Sequence, residues 1–420
     1  MLEGFLILGV VVLISVIGNR LYEKTGVPES LFMIILGMVA GPLTMLVPPS
    51  SLSGIVNYIF TLSLIVIVLE SGISTEISEA LDSMKHASLF TFIILLTSIS
   101  ICSTILYFVF NWNLISSMVM GIICSGTSTL PVVYMTQRLE LVDKVENLLV
   151  FESIFNDITL LTSLTLAMKA FSMNNYILDT IVSLVKHVTE PIIYGSFSAI
   201  LWIFLLLGYL KRTHVKYIST LAVVSILYAV TEVEKGSGIL AILVFSILLG
   251  NLHQIANATG IFSQKIMTHL NQLEVELEKI RGIQTEMSFL AKNIFFFIMG
   301  ILFDIRKVDA NLLKITATLI VIIFISRYLT ARFLSRFESS YMKNILVIAL
   351  MLPRGLTASI ASYLPTGSQI VFPQVVEITL LMVIITNIAT IGGFTLINHN
   401  DRPDSEPLID RLSVEDDVIT

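Results

Sequence analysis

The chain has 420 residues, of which 55% are hydrophobic and 13% charged, with a mean hydropathy of +0.89. Soluble domains carry about 25% charged residues, so this composition excludes a soluble globular protein and places the chain in a membrane. The formal charge of −6 owes much to acids crowded into 401–420, and no basic cluster points to nucleic acid. The first stretch, "MLEGFLILGVVVLISVIG", lacks a basic leader and a small-residue cleavage site, so it reads as a first span. A helix needs about 20 mostly apolar residues to cross roughly 30 Å of hydrocarbon. On that measure the chain is all-α and polytopic. About thirteen spans lie near 3–18, 30–48, 55–73, 88–110, 114–136, 147–170, 189–210, 216–232, 236–251, 285–304, 310–330, 343–363 and 374–396. Residues 398–420 form a polar tail.

Basic residues set orientation, because they stay on the cytoplasmic side. Loops after odd-numbered spans, with the C-terminal tail, hold 17 of the 25 Lys and Arg, Arg327 counted among them. The opposite loops hold six, and Lys292 and Arg354 fall inside spans. The bias predicts a multi-pass cell-membrane protein with its N-terminus outside and its C-terminus cytoplasmic. Thirteen spans also divide into six, one and six. That arithmetic predicts two inverted repeats, about 1–172 and 213–397, joined by a linker helix at about 173–212. The halves share no visible sequence similarity. Between spans nine and ten, "SQKIMTHLNQLEVELEKI" spaces Ile266, Leu270, Leu273 and Leu277 as one helical face. It reads as a surface helix or a plain connector. Cys102 and Cys124 lie in apolar runs, which argues against a structural disulfide.

Ionisable groups inside a membrane are costly and mark a substrate path. In "ESIFNDITLL", residues 152–161, a helix turning about 100° per residue puts Glu152, Ser153, Asn156 and Asp157 within half its circumference. The four offer oxygen ligands suited to a hard monovalent cation. Asp157 falls near the midplane of span six. "CSGTSTLP", residues 124–131, breaks span five between Gly126 and Pro131, and "MLPRGLTAS", residues 351–359, breaks span twelve at Pro353 and Gly355. Two interrupted spans at matching positions point to a transporter's binding site. Arg354 keeps its charge and needs a carboxylate, for which Glu70 and Glu152 are the candidates. Lys292 is expected to snorkel to the interface. The histidines fall in loops or at span ends.

These residues resemble a family. "LVFESIFNDITLL" is similar to the ESxxND signature of NhaP/NHE-type sodium/proton antiporters, in the electroneutral branch of the cation/proton antiporter superfamily. "IALMLPRGLTASIA", "VIVLESGI" and "NIFFFIMGILFDI" resemble further segments of it. The resemblance implies that Asp157 binds a monovalent cation or a proton, with Ser153 and Glu70 as further ligands. It implies a supporting ion pair of Glu152 with Arg354, an asparagine at Asn156 typical of electroneutral exchange, and a homodimer. Where the family carries Thr-Asp-Pro in span five, this chain has Gly126, Thr127 and Ser128. A backbone carbonyl near Gly126 or Thr127 can still serve the ion, and Na⁺, Li⁺ and K⁺ all stay open.

The expected function is secondary exchange of one cation for one proton by alternating access, with no enzymatic chemistry and no cofactor, the membrane lipids being the surroundings. A cation channel and a non-transporting membrane sensor are the alternatives.

Overall fold

The computed structural model describes residues 2–401 apart from 26, 53–55, 75–76, 140, 173–176, 208–215, 235, 253, 255–263 and 365–373. The polar tail beyond 401 lies outside the described residues. Within them the chain is helical, with no strand. Among the described residues, eight helices are long and apolar enough to cross a membrane. The helices used below are α1 (Leu2–Thr25), α2 (Glu29–Met38), α3 (Val56–Ser74), α4 (Ile77–Thr97), α5 (Ser103–Phe108), α6 (Leu114–Ile123), α7 (Thr129–Arg138), α8 (Asp143–Ser172) and α9 (Ile177–Leu207). They continue with α10 (Lys216–Val233), α11 (Gly238–Gly250), α12 (Gln264–Leu302), α13 (Ala310–Leu334), α14 (Ser339–Lys343), α15 (Ile345–Leu350), α16 (Leu356–Tyr363) and α17 (Val375–Asp401).

Local chemistry sets several of these boundaries. Asn113 caps α6 by accepting from the Ser116 N–H at 2.7 Å, and Asp309 caps α13 by accepting from the Leu312 N–H at 2.7 Å. Each satisfies an amide that a helix start leaves unpaired. The expected surface helix between spans nine and ten is instead continuous with span ten. α12 runs unbroken for 39 residues, because Gly282 is the lone weak helix former where the two segments meet and a glycine costs only about 1 kcal/mol in a helix.

The chain separates into two compact units. Unit one comprises residues 1–53, 83–160 and 296–420. Its core joins Phe90 and Ile94 of α4, Val132 of α7, Leu148 and Leu149 of α8, Ala331 of α13 and Ile348 of α15. Lipid is as apolar as leucine, so close packing and hydrogen bonds hold such helices together. Gly37 of α2 and Gly300 of α12 show how close: a Cβ on Gly37 would meet the Phe297 carbonyl, and one on Gly300 would meet the Ile34 carbonyl. At the α13–α14 turn, Glu338 accepts from Lys144 at 2.6 Å and from the Ser340 hydroxyl at 2.9 Å.

Unit two comprises residues 54–82 and 161–295. Here α11 packs against α3, α9 and α10. Trp202 of α9 donates its indole N–H to Thr220 of α10 at 3.1 Å. Ile193, Phe197, Ile200 and Phe204 form an exposed apolar stripe along α9, the composition expected of a face turned to hydrocarbon.

Candidate cation site

Both expected interruptions are present in unit one. Residues 124–128 separate α6 from α7, and 351–355 separate α15 from α16. Proline lacks an N–H, and backbone freed at depth needs partners inside the protein. The two breaks supply them to each other. The Ser128 N–H donates to the Pro353 carbonyl at 2.7 Å. A Cβ on Gly355 would strike the Ser128 side chain, so this crossing requires glycine. The second break also hangs on α17. Arg354 donates its backbone N–H to Thr386 Oγ1 at 2.9 Å and accepts at its carbonyl from Asn387 Nδ2 at 2.7 Å. The first break is tied to α8, where Asn156 Nδ2 donates to the Ser125 carbonyl at 2.7 Å. A Cβ on Gly126 would meet the Leu160 side chain of α8.

Glu152 sits at the centre of a buried knot. Thr127 Oγ1 donates to its Oε1 at 3.0 Å and Asn156 Nδ2 at 3.2 Å. The charge, however, is met by Arg327 of α13, with Nη1 on Oε1 at 2.9 Å and Nη2 on Oε2 at 3.1 Å. Arg327 also reaches Thr127 Oγ1 at 3.3 Å and the Ile348 carbonyl at 3.2 Å, and lies over the Phe90 ring. This corrects the expected Glu152–Arg354 pair. Arg354 is buried, but the three nitrogens of its guanidinium make no hydrogen bond within the described structure. Its contribution to the break is through the backbone. The charge pattern places Arg327 in a cytoplasmic loop, and the structure places it in a helix. The helix runs on to Leu334, which places Arg327 about two turns inside it. The signal was an arginine within an otherwise apolar span.

Asp157 occupies the middle of α8 and is half-buried. Thr129, the first residue of α7, donates its hydroxyl to Asp157 Oδ2 at 3.3 Å. Ser153 is buried and donates its hydroxyl back to the Val150 carbonyl at 2.7 Å. The polar stripe of α8 thus divides. Glu152 and Asn156, one turn apart, face the break and α13, while Asp157 meets the start of α7.

In unit two, Lys292 of α12 donates to Glu70 of α3 at 2.6 Å, and each side chain is only 18% exposed. Nearby, Gln284 and Ser288 of α12 both donate to the Val66 carbonyl, at 2.6 and 3.2 Å. Lys292 therefore does not snorkel to an interface. It pairs with Glu70 across the α3–α12 contact.

A family model for the transmembrane sodium/hydrogen exchanger matches residues 9–398. The chain belongs to the sodium/hydrogen exchanger family. In fold, the exchanger is similar to the sodium proton antiporter MjNhaP1 from Methanocaldococcus jannaschii. The structure of that antiporter at pH 8 matches with a TM-score of 0.70 at 18% identity, over 93% of this chain and 94% of the other. Its electron-microscopy structure matches with a TM-score of 0.70, over 96% of each chain. The exchanger is thus a multi-span membrane transporter and not an enzyme, carrying out secondary active exchange of Na⁺ for H⁺.

Proposed function

We propose that the exchanger moves one monovalent cation against one proton, electroneutrally, with both cargoes taking turns on Asp157. The observation that carries this reading is the place of Asp157, half-buried in the middle of α8 with the Thr129 hydroxyl of the first helix break on its Oδ2. Glu152 is held by Arg327 through two hydrogen bonds, and Glu70 is held by Lys292. Both carboxylates are matched by fixed cations. Asp157 accepts from the Thr129 hydroxyl at the start of α7, beside the first helix break. Asn156, which would add a second charge as an aspartate, is neutral and occupied in bracing the break.

One carboxylate that must carry either ion before the protein changes its facing gives obligatory exchange. Since one positive charge replaces another, no net charge moves. Alternating access, with one helical bundle rocking, belongs to the same reading. The inverted-repeat plan, an outward N-terminus with a cytoplasmic C-terminus, and assembly as a homodimer in the lipid bilayer belong to the same reading. Na⁺ is the cation favoured by the family, and Li⁺ or K⁺ would use the same oxygens.

The test is reconstitution into proteoliposomes with a trapped pH dye. Adding Na⁺ should collapse an imposed pH gradient for the wild type and leave it intact for Asp157→Asn. Undiminished collapse in that variant would overturn the assignment.

A further inference from the structure

We propose that Thr129 is a further ligand of the transported cation and sets the site's preference for an ion of sodium size. The inference rests on the reading of Asp157 as the ion-binding carboxylate. Thr129 lies just past the first helix break, at the start of α7. In the sequence it is one of several hydroxyl residues in "CSGTSTLP", with nothing to single it out. The fold brings its hydroxyl to Asp157, a residue 28 positions along the chain, with Oγ1 3.3 Å from Oδ2. Both residues are half-buried, neither sealed in the core nor open.

A threonine hydroxyl has one hydrogen to donate and two lone pairs to offer. In the structure the hydrogen points at the carboxyl group of Asp157. When a cation arrives, the hydrogen can rotate away and a lone pair takes its place, with little movement of the oxygen. The spacing suits this exchange. An ion about 2.4 Å from each oxygen, within the range of hard cations on oxygen ligands, would see the two at roughly 90°. That is the angle between neighbouring ligands of an octahedron. An ion held at about 2.0 Å, the spacing of smaller cations, would need an angle of roughly 110°, and a larger one a narrower angle.

The neighbouring hydroxyls already have their hydrogens placed on the protein. Thr127 Oγ1 is tied to Glu152, Arg327 and Asn156, and the Ser153 hydroxyl has its hydrogen on Val150.

Thr129→Val keeps the shape and removes the hydroxyl, whereas Thr129→Ser keeps the hydroxyl. In proteoliposomes, Thr129→Val should raise the KM for Na⁺ about tenfold, the loss of roughly 1.4 kcal/mol, while the maximal rate stays within a few-fold. Thr129→Ser should return KM to near the wild-type value. The ratio of KM for K⁺ to KM for Na⁺ should fall in the valine variant and recover in the serine variant. Equal KM values for the valine and serine variants would overturn the proposal. If the valine variant does not fold, Thr129→Ala and Thr129→Ser can be compared by Na⁺-dependent thermal stabilisation in detergent. An alanine variant with the full wild-type shift would overturn it equally. Asp157→Asn serves as the separate control, since exchange surviving there defeats the underlying reading whatever Thr129 does.

Discussion

Arg327 closes on Glu152 with two donors, at 2.9 and 3.1 Å, and neither side chain is exposed. The pair joins α8 to α13 just beside the first helix break. Removing one member of a buried ion pair strands the other charge and typically costs about 3–5 kcal/mol. Arg327→Met should therefore lower the melting temperature of the detergent-purified protein sharply and cut folded yield. Arg354→Met, which removes a guanidinium with no hydrogen bond inside the described structure, should be milder. A double change to Glu152→Leu with Arg327→Met should be more stable than Arg327→Met alone, because it removes the stranded charge. Fluorescence-detected size-exclusion profiles after heating would order the variants.

Asn156 donates to the Ser125 carbonyl and to Glu152 Oε1, at 2.7 and 3.2 Å. An aspartate in its place would lose both donations and set a second carboxylate against Glu152. Asn156→Asp should thus destabilise the fold by about 2 kcal/mol or more and should not create voltage-driven transport. Melting curves and flux under an imposed membrane potential measure the two effects. A stable variant that carries net charge would contradict the bracing role.

Electroneutrality is tested on the wild type. On the proposed one-for-one cycle, a membrane potential imposed on proteoliposomes without a Na⁺ or pH gradient should drive no proton movement. A potential-driven dye signal that requires the exchanger would rule out a one-for-one cycle.

The Glu70–Lys292 pair predicts coupling. Glu70→Gln and Lys292→Gln should each reduce stability, and the double variant should lose less than the sum. The expected coupling energy is about 1–3 kcal/mol, as for residues in direct contact. Additive losses in a thermal double-mutant cycle would mean that the contact does not hold α3 to α12.

Outside the spans, the hydrogen bond from Lys144 holds the Glu338 carboxyl below its ordinary value of 4.5, helped by Ser340. A carboxylate with a depressed folded value stabilises the fold above its unfolded value and loses that contribution as pH falls through the folded one. Wild type should be more stable than Glu338→Gln at neutral pH, and the gap should close below about pH 4.5. The gap is expected to be small, because Lys144 is largely exposed and such pairs are weak. Melting temperatures measured from pH 3 to 7 would show its sign.

The sequence by itself determined the membrane, the order of apolar segments and the two interruptions, and it singled out Asp157 as an acid inside a span. Each of these follows from local facts: a run of apolar residues long enough for the bilayer, a proline or glycine that breaks a helix, an acid where acids are costly. It could not determine partners. Arg327 and Arg354 are equally charged and both lie in apolar surroundings, and only packing decides which of them reaches Glu152. Position along a helix says how deep a charge lies, but not which neighbour its side chain meets. Lys292 and Glu70 stand 222 residues apart, and Thr129 and Asp157 stand 28 apart. An ion pair or hydrogen bond acts over a few ångströms whatever the sequence separation. Those pairings therefore exist only once tertiary structure has brought the helices side by side.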